Sequence, residues 1–343
     1  MFRFVIACGP TGGHLVPAKL VASQLEKTGN TVRVVSSAAV SNPLINEIKN
    51  NYIRLDTEGW QGGVFSRMRC LLKMTGALKY SWSLLKAVDA VISFGGYPAV
   101  PVLTAARLKK IPIFIQEQNR LMGRTNRLFA SSARCCFWGF EPLSASGTGQ
   151  DLVTGNPVRR QTPCADDWFT EKPFLLVTGG SQGSREMSQY LEKTANYFIE
   201  HGWKIFYVRG KFGLDLCEQF PDETVFRQVD FEQRLPAIIG AADCVWSRCG
   251  AGALSELAYY DTPALRFPFA AAADEHQRLN AEYFVRKGPA AIADSFSPRL
   301  LFERSLELAR SAEGYNLNRC QIKPPEDIIT EYIIDWMENN ENI

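Results

Sequence analysis

The chain has 343 residues, 46% hydrophobic and 22% charged, with a formal net charge of +2. That length holds two ordinary globular domains with ample core, and the near-neutral balance argues against a whole-chain nucleic-acid binder. Nine cysteines without a C-x-x-C pair indicate neither a zinc site nor a disulfide framework, and fit thiols kept reduced in a cytosol.

The start, MFRFVIAC, carries one Arg and too short an apolar run for a secretory signal. The first half then alternates short apolar runs with helical periodicity. Strands are expected at Phe4–Cys8, Val32–Ser36, Ala90–Ser93, Ile113–Ile115 and Cys135–Trp138, with helices over Pro17–Thr28 and around Arg67–Lys86. That alternation predicts an α/β fold with a doubly wound parallel sheet. The longest uncharged run, Ala90 to Ala106, contains Gly95, Gly96, Pro98 and Pro101 and is too short and broken for a membrane span.

The pattern breaks at Gly155–Pro173, a mixed-charge stretch with prolines that reads as a linker. Phe174–Phe198 then repeats the opening design of strand, glycine loop and helix, and Ala242–Tyr260 supplies a third instance. Two Rossmann-like domains are expected, residues 1–160 and 161–324, facing each other across a cleft at the carboxyl ends of their strands. In Pro324–Asn340, Ile328, Ile329, Tyr332, Ile333 and Trp336 fall near one helical face, the pattern of a packing helix.

The loop Gly9-Pro10-Thr11-Gly12-Gly13-His14 fits neither the dinucleotide fingerprint nor a P-loop. Pro17 suits the first turn of the following helix. Gly12 and Gly13 would let a substrate approach the backbone, with His14 as general base; the alternative is a structural turn whose His is perturbed by the helix dipole. Gly179 to Ser184 combines three glycines with two hydroxyls at a helix start, which suits a diphosphate bound without metal, or a plain N-cap. Arg248 to Glu256 places glycines at another helix start. Glu256 would accept hydrogen bonds from a ribose diol, or merely complement the dipole.

Polar residues from Pro268 to Ala281 suit sugar hydroxyls or a solvated loop, and Gly95-Gly96-Tyr97-Pro98 follows a strand toward the same cleft. Gln116 to Asn119 put four polar side chains at a strand end, which is costly unless they find partners. Val64–Lys86 has five basic residues and no acid among apolar ones, the mark of an interfacial segment or of a core-backed surface helix. No D-x-D motif occurs, and His14, His201 and His276 are the only histidines, so no metal site is indicated.

In order, TGGH (Thr11–His14), FGGYP (Phe94–Pro98), EQN (Glu117–Asn119), TGNPVR (Thr154–Arg159), GGSQG (Gly179–Gly183), SELA (Ser255–Ala258) and HQ to NA (His276 to Ala281) resemble the MurG family. These are cytoplasmic N-acetylglucosaminyltransferases that convert lipid I to lipid II in peptidoglycan synthesis. The resemblance implies a GT-B fold, with the C-terminal helix within 325–343 crossing back to the first domain. It implies UDP-N-acetylglucosamine as a substrate, no cofactor, and lipid I as acceptor. It also implies a peripheral place on the cytoplasmic face of the plasma (inner) membrane through Val64–Lys86, with partners among cell-wall and division proteins.

Carried over by position, Ser181, Gln182 and Arg159 would hold the donor diphosphate, and Glu256 the ribose hydroxyls. Gln277 and Asn280 would read the sugar, and Asn119 would approach it from the first domain. Glu232 and the turn Ala251, Gly252, Ala253, Leu254 and Ser255 complete the donor contacts. Thr11, Gly12 and Gly13 stand among them too, although the same loop, with Gly95, Gly96 and Tyr97, would also receive the acceptor's diphosphate. His14 would be the base. The chain departs from the family pattern at Pro10, usually Gly; at Gln116, usually His; and by one extra residue within Phe269–His276.

Overall fold

Runs such as FLLVT (Phe174–Thr178) are buried along their whole length, as strands covered on both faces are, and they pair in parallel. The computed structural model describes residues 1–57, 64–171, 173–180, 182–268, 276–285, 290–293, 297–311 and 323–340; the side chains of residues 47 and 64–71 are not among those described. One unit comprises Met1–Val158 with Ile322–Ile343, the other Arg159–Gln321.

In the first unit the described strands are β1 (Arg3–Ala7), β2 (Thr31–Ser36), β3 (Tyr52–Arg54), β4 (Ala90–Ser93), β5 (Ile113–Glu117), β6 (Cys135–Trp138) and β7 (Asp151–Val153). They form one parallel sheet in the order β3-β2-β1-β4-β5-β6-β7. In the second, β8 (Phe174–Thr178), β9 (Lys204–Val208), β10 (Phe226–Val229), β11 (Cys244–Arg248), β12 (Ala264–Phe267) and β13 (Ala290–Ile292) lie in the order β10-β9-β8-β11-β12-β13. The helices are α1 (Gly12–Lys27), α2 (Val64–Leu84), α3 (Ala99–Leu108), α4 (Arg124–Phe129), α5 (Asp167–Thr170), α6 (Arg185–Glu200), α7 (Leu235–Ala241), α8 (Ala251–Tyr260), α9 (His276–Val285), α10 (Pro298–Ser311) and α11 (Pro325–Asn339).

Each sheet reverses its strand order once, between β1 and β4 and between β8 and β11. An open parallel sheet splits its connecting loops at such a point and leaves a crevice for a ligand. The GPTGGH and FGGYP loops follow β1 and β4; the GGSQG and RCGAG loops follow β8 and β11. Alternation within β1 sends Phe4 and Ile6 into one apolar layer and Val5 and Ala7 into the other, so both faces of the sheet are covered. Leu265 and Val245 mark the corresponding two layers of the second sheet.

Helix α1 starts at Gly12, more than a turn before Pro17, which therefore lies inside it rather than in its first turn. The helix can begin early because Thr11 is extended and its carbonyl accepts from the His14 and Leu15 N–H groups. Pro17 then forgoes the hydrogen bond that the Gly13 carbonyl would accept, and its ring crowds that carbonyl.

α11 packs on the first unit, as an amphipathic helix must bury its stripe. Ile329, Ile333 and Met337 are buried in its core, while Trp336 and Tyr332 set their rings edge-on to Phe114 and Phe137 at 5.5 and 5.4 Å. Ile328, expected on that face, is only half-buried; Met337 takes its place.

Candidate active site

In the first unit the site is built from two glycine loops and the end of β5. Gly96, at φ +83°, runs so close to Gly9 that a Cβ on it would lie 2.5 Å from the Gly9 Cα. A Cβ on Gly9 would in turn lie 2.8 Å from His14 Nδ1. These glycines are thus required by one loop's approach to the other and by the imidazole lying across the first. Tyr97 is tied back to Ser37 through a 2.9 Å bond between their hydroxyls.

The half-buried His14 ring is fixed by Thr11, whose Oγ1 lies 3.0 Å from Nδ1. Thr11 is the N-cap residue of α1, yet its side chain makes no capping bond. Burial lowers the His14 pKa below the usual 6.5, against the opposing pull of the Glu117 carboxylate. Burial, the first of these causes, therefore favours the neutral imidazole. A small open pocket here is lined by His14, Gly95, Gly96, Glu117, Asn119 and Asn126, among others.

The polar cluster at the end of β5 finds the partners it needs. Glu117, 1% exposed, accepts at Oε1 from the Asn119 N–H and Nδ2, both 3.0 Å, and at Oε2 from the Gly123 N–H and Asn126 Nδ2, both 2.9 Å. Gln116 Nε2 donates to Asn156 Oδ1 at 2.9 Å and its Oε1 accepts from Gln118 Nε2 at 2.6 Å. Gln116 therefore ties β5 to the TGNPVR stretch, a positioning task rather than proton transfer.

In the second unit, Arg159 and Glu256 come together: Arg159 Nε donates to Glu256 Oε1 at 3.0 Å. Glu256 is buried on the second turn of α8, not the first. Burial raises its pKa while the Arg159 charge and hydrogen bond work against that. Gly250 is the N-cap of α8, followed by Ala251, Gly252 and Ala253 in the first turn and then Ser255. Leu254 is core, and its N–H is committed to the Gly250 carbonyl at 3.0 Å.

Ser181 lies outside the described residues, as do 269–275 of the polar loop. Gln182 is exposed. Of the glycines beside it, Gly183 is needed for packing, since its Cβ would lie 2.2 Å from the Arg209 carbonyl oxygen. Ser184 Oγ caps α6 by accepting from Met187 N–H, and Arg248 Nη2 donates to that oxygen at 2.6 Å. Glu232 accepts from the Arg234 N–H in the loop before α7. Gln277 and Asn280 stand on α9, Asn280 buried.

The N-terminal domain model of glycosyltransferase family 28 matches residues 4–138, and its C-terminal domain model residues 174–330. A relative from Prochlorococcus marinus (strain NATL1A) is 31% identical over 87% of this chain and 87% of its own. It is a UDP-N-acetylglucosamine–N-acetylmuramyl-(pentapeptide) pyrophosphoryl-undecaprenol N-acetylglucosamine transferase. The chain belongs to glycosyltransferase family 28.

The family 28 chain also superposes on the crystal structure of Acinetobacter baumannii MurG with a TM-score of 0.70, at 24% identity, covering 99% of this chain and 100% of that one. With the calicheamicin glycosyltransferase CalG4 the TM-score is 0.71 at 14% identity, over 99% of each chain. Such distant likeness speaks for the fold, which is GT-B. The family 28 enzyme also carries features that the motifs did not announce. Asn126 comes from RTNRLF, which reads as an ordinary polar helix; only packing turns it toward Glu117. Arg248 would pass for a strand-end cation, and its grip on Ser184 is a tertiary fact.

The described part of Val64–Lys86 turns Ala77, Ser81 and, just past the end of α2, Leu85 inward and leaves Leu72, Lys79, Tyr80, Trp82 and Lys86 exposed. Lys109 sits over the Trp82 ring at 4.7 Å, and the neighbouring Leu108 is exposed. The side chains of Phe65, Arg67, Arg69 and Leu71 lie outside the described residues. Among the described residues no helix is long and apolar enough to cross a membrane.

Proposed function

We propose that this family 28 glycosyltransferase moves N-acetylglucosamine from UDP-N-acetylglucosamine to the 4-hydroxyl of the muramyl sugar of lipid I, with inversion and without a metal. The observation that carries the reading is the Prochlorococcus relationship, which runs through both domain models and not the donor half alone. The chemistry is an in-line displacement. His14 Nε2 takes the proton of the 4-hydroxyl as its oxygen bonds to the anomeric carbon, and the bond from that carbon to the UDP oxygen breaks. This requires Nδ1 to carry a proton and donate it to Thr11 Oγ1, a tautomer the 3.0 Å contact accommodates. Departing UDP meets the N-terminus of α8 and Arg159, which supply positive potential to the diphosphate. Glu256, kept near Arg159, receives the ribose hydroxyls.

The test is transfer from UDP-N-acetylglucosamine to a soluble lipid I analogue, with and without chelator. Product of inverted configuration, formed equally with chelator, is the expected result. Transfer only to a different lipid would sink the acceptor assignment, and loss of activity with chelator would sink the metal-free mechanism.

The exposed aromatic and basic side chains of α2 support docking on an anionic membrane surface on the cytoplasmic side. Lys79→Gln with Lys86→Gln should weaken binding to anionic vesicles by about thirtyfold, on about 1 kcal/mol per basic residue. Unchanged sedimentation with such vesicles would return α2 to an ordinary surface helix.

A further inference from the structure

Arg266 sits on β12 with 4% of its surface exposed. Its Nε and Nη1 are buried and donate to no acceptor among the described residues. Buried cations are ordinarily paired, because an ion removed from water without a partner strongly destabilises the fold. Burial lowers the Arg266 pKa to about 10, which leaves the guanidinium charged at neutral pH.

Its surroundings are specific. The guanidinium lies over the Phe284 ring of α9 at 5.2 Å. Phe284 stands four residues from Asn280 and seven from Gln277, so the three share one helical face. Cys249, the residue before the Gly250 cap of α8, is close enough to Arg266 to act on its charge. Arg266 therefore meets one of the helices assigned to the donor, near the carboxyl end of β12. A buried polar group left without a partner in a folded protein calls for an explanation.

We propose that Arg266 is an anion-recognising residue of the donor pocket, its guanidinium donating to a phosphate oxygen of the bound nucleoside diphosphate. The proposal rests on the donor reading of the second unit given above.

The experiment compares UDP and uridine binding to the full-length wild type, Arg266→Met and Arg266→Lys, alongside thermal unfolding of each. Arg266→Met should lose about tenfold to hundredfold in UDP affinity, the range for a charged hydrogen bond, while uridine affinity holds. Its Tm should stay or rise, because an apolar side chain of similar volume replaces an unpaired charge. Arg266→Lys should fall between. Unchanged UDP affinity in Arg266→Met overturns the proposal, as does equal loss of UDP and uridine with a lowered Tm, which would make Arg266 structural. A wild type that does not bind UDP overturns both the proposal and the donor reading.

Discussion

Replacing His14 by Ala is expected to lower kcat by about 10²- to 10⁴-fold while the Kd for UDP-N-acetylglucosamine changes little, the usual worth of a positioned base. The expectation follows from how the ring is held. Thr11 engages Nδ1, Gly9 gives the imidazole room, and burial lowers its pKa. A base with a lowered pKa stays unprotonated further into acid, so the acid limb of the rate profile should bend below pH 6.5. The same shift makes stability pH-dependent: the unfolded chain takes the proton first, so this contribution is complete above the unfolded value and is lost as pH falls below it. Single-turnover rates against pH for both proteins check the point. Near-wild-type turnover in the variant would remove His14 from the chemistry.

Glu117→Ala should cost about 3–5 kcal/mol of folding stability, well beyond an ordinary substitution. The carboxylate is almost wholly buried, and its oxygens accept from Asn119, Gly123 and Asn126. Without it the buried Asn126 and the half-buried Asn119 and Gly123 lose this acceptor. A second effect reaches His14: Glu117 raises its pKa, so removing the charge should lower that pKa further. Denaturant unfolding reads the first effect and an NMR titration of the His14 ring the second. A loss below about 1 kcal/mol would show that the cluster is not what braces the loops.

The parallel α/β architecture was largely legible, because alternating apolar runs and helical periods are local signals. Expected strands such as Ala90–Ser93 and Cys135–Trp138 coincide with β4 and β6, and the others in that half lie within two residues of β1, β2 and β5. The edge strands β3, β7, β10 and β13 and the inner strand β9 were not picked out. Pro17 misled because its usual place in a first turn describes proline in general, whereas the Thr11 carbonyl started the helix earlier.

By itself, then, the sequence determined the two-sheet architecture, the places of the glycine loops at strand ends and, through the ordered blocks, the family. Those signals lie within a few residues of one another along the chain. What each residue does there was decided only in three dimensions. Gly9 serves Gly96 and His14, Gly183 serves the Arg209 carbonyl, Arg159 finds Glu256, and Asn126 finds Glu117. These partners are separated by as many as 97 residues. Composition cannot tell a glycine needed for phosphate from one needed for a neighbouring backbone. It also cannot tell that Arg266 Nε and Nη1 find no acceptor among the described residues, because partnership depends on which strands and helices the fold brings side by side.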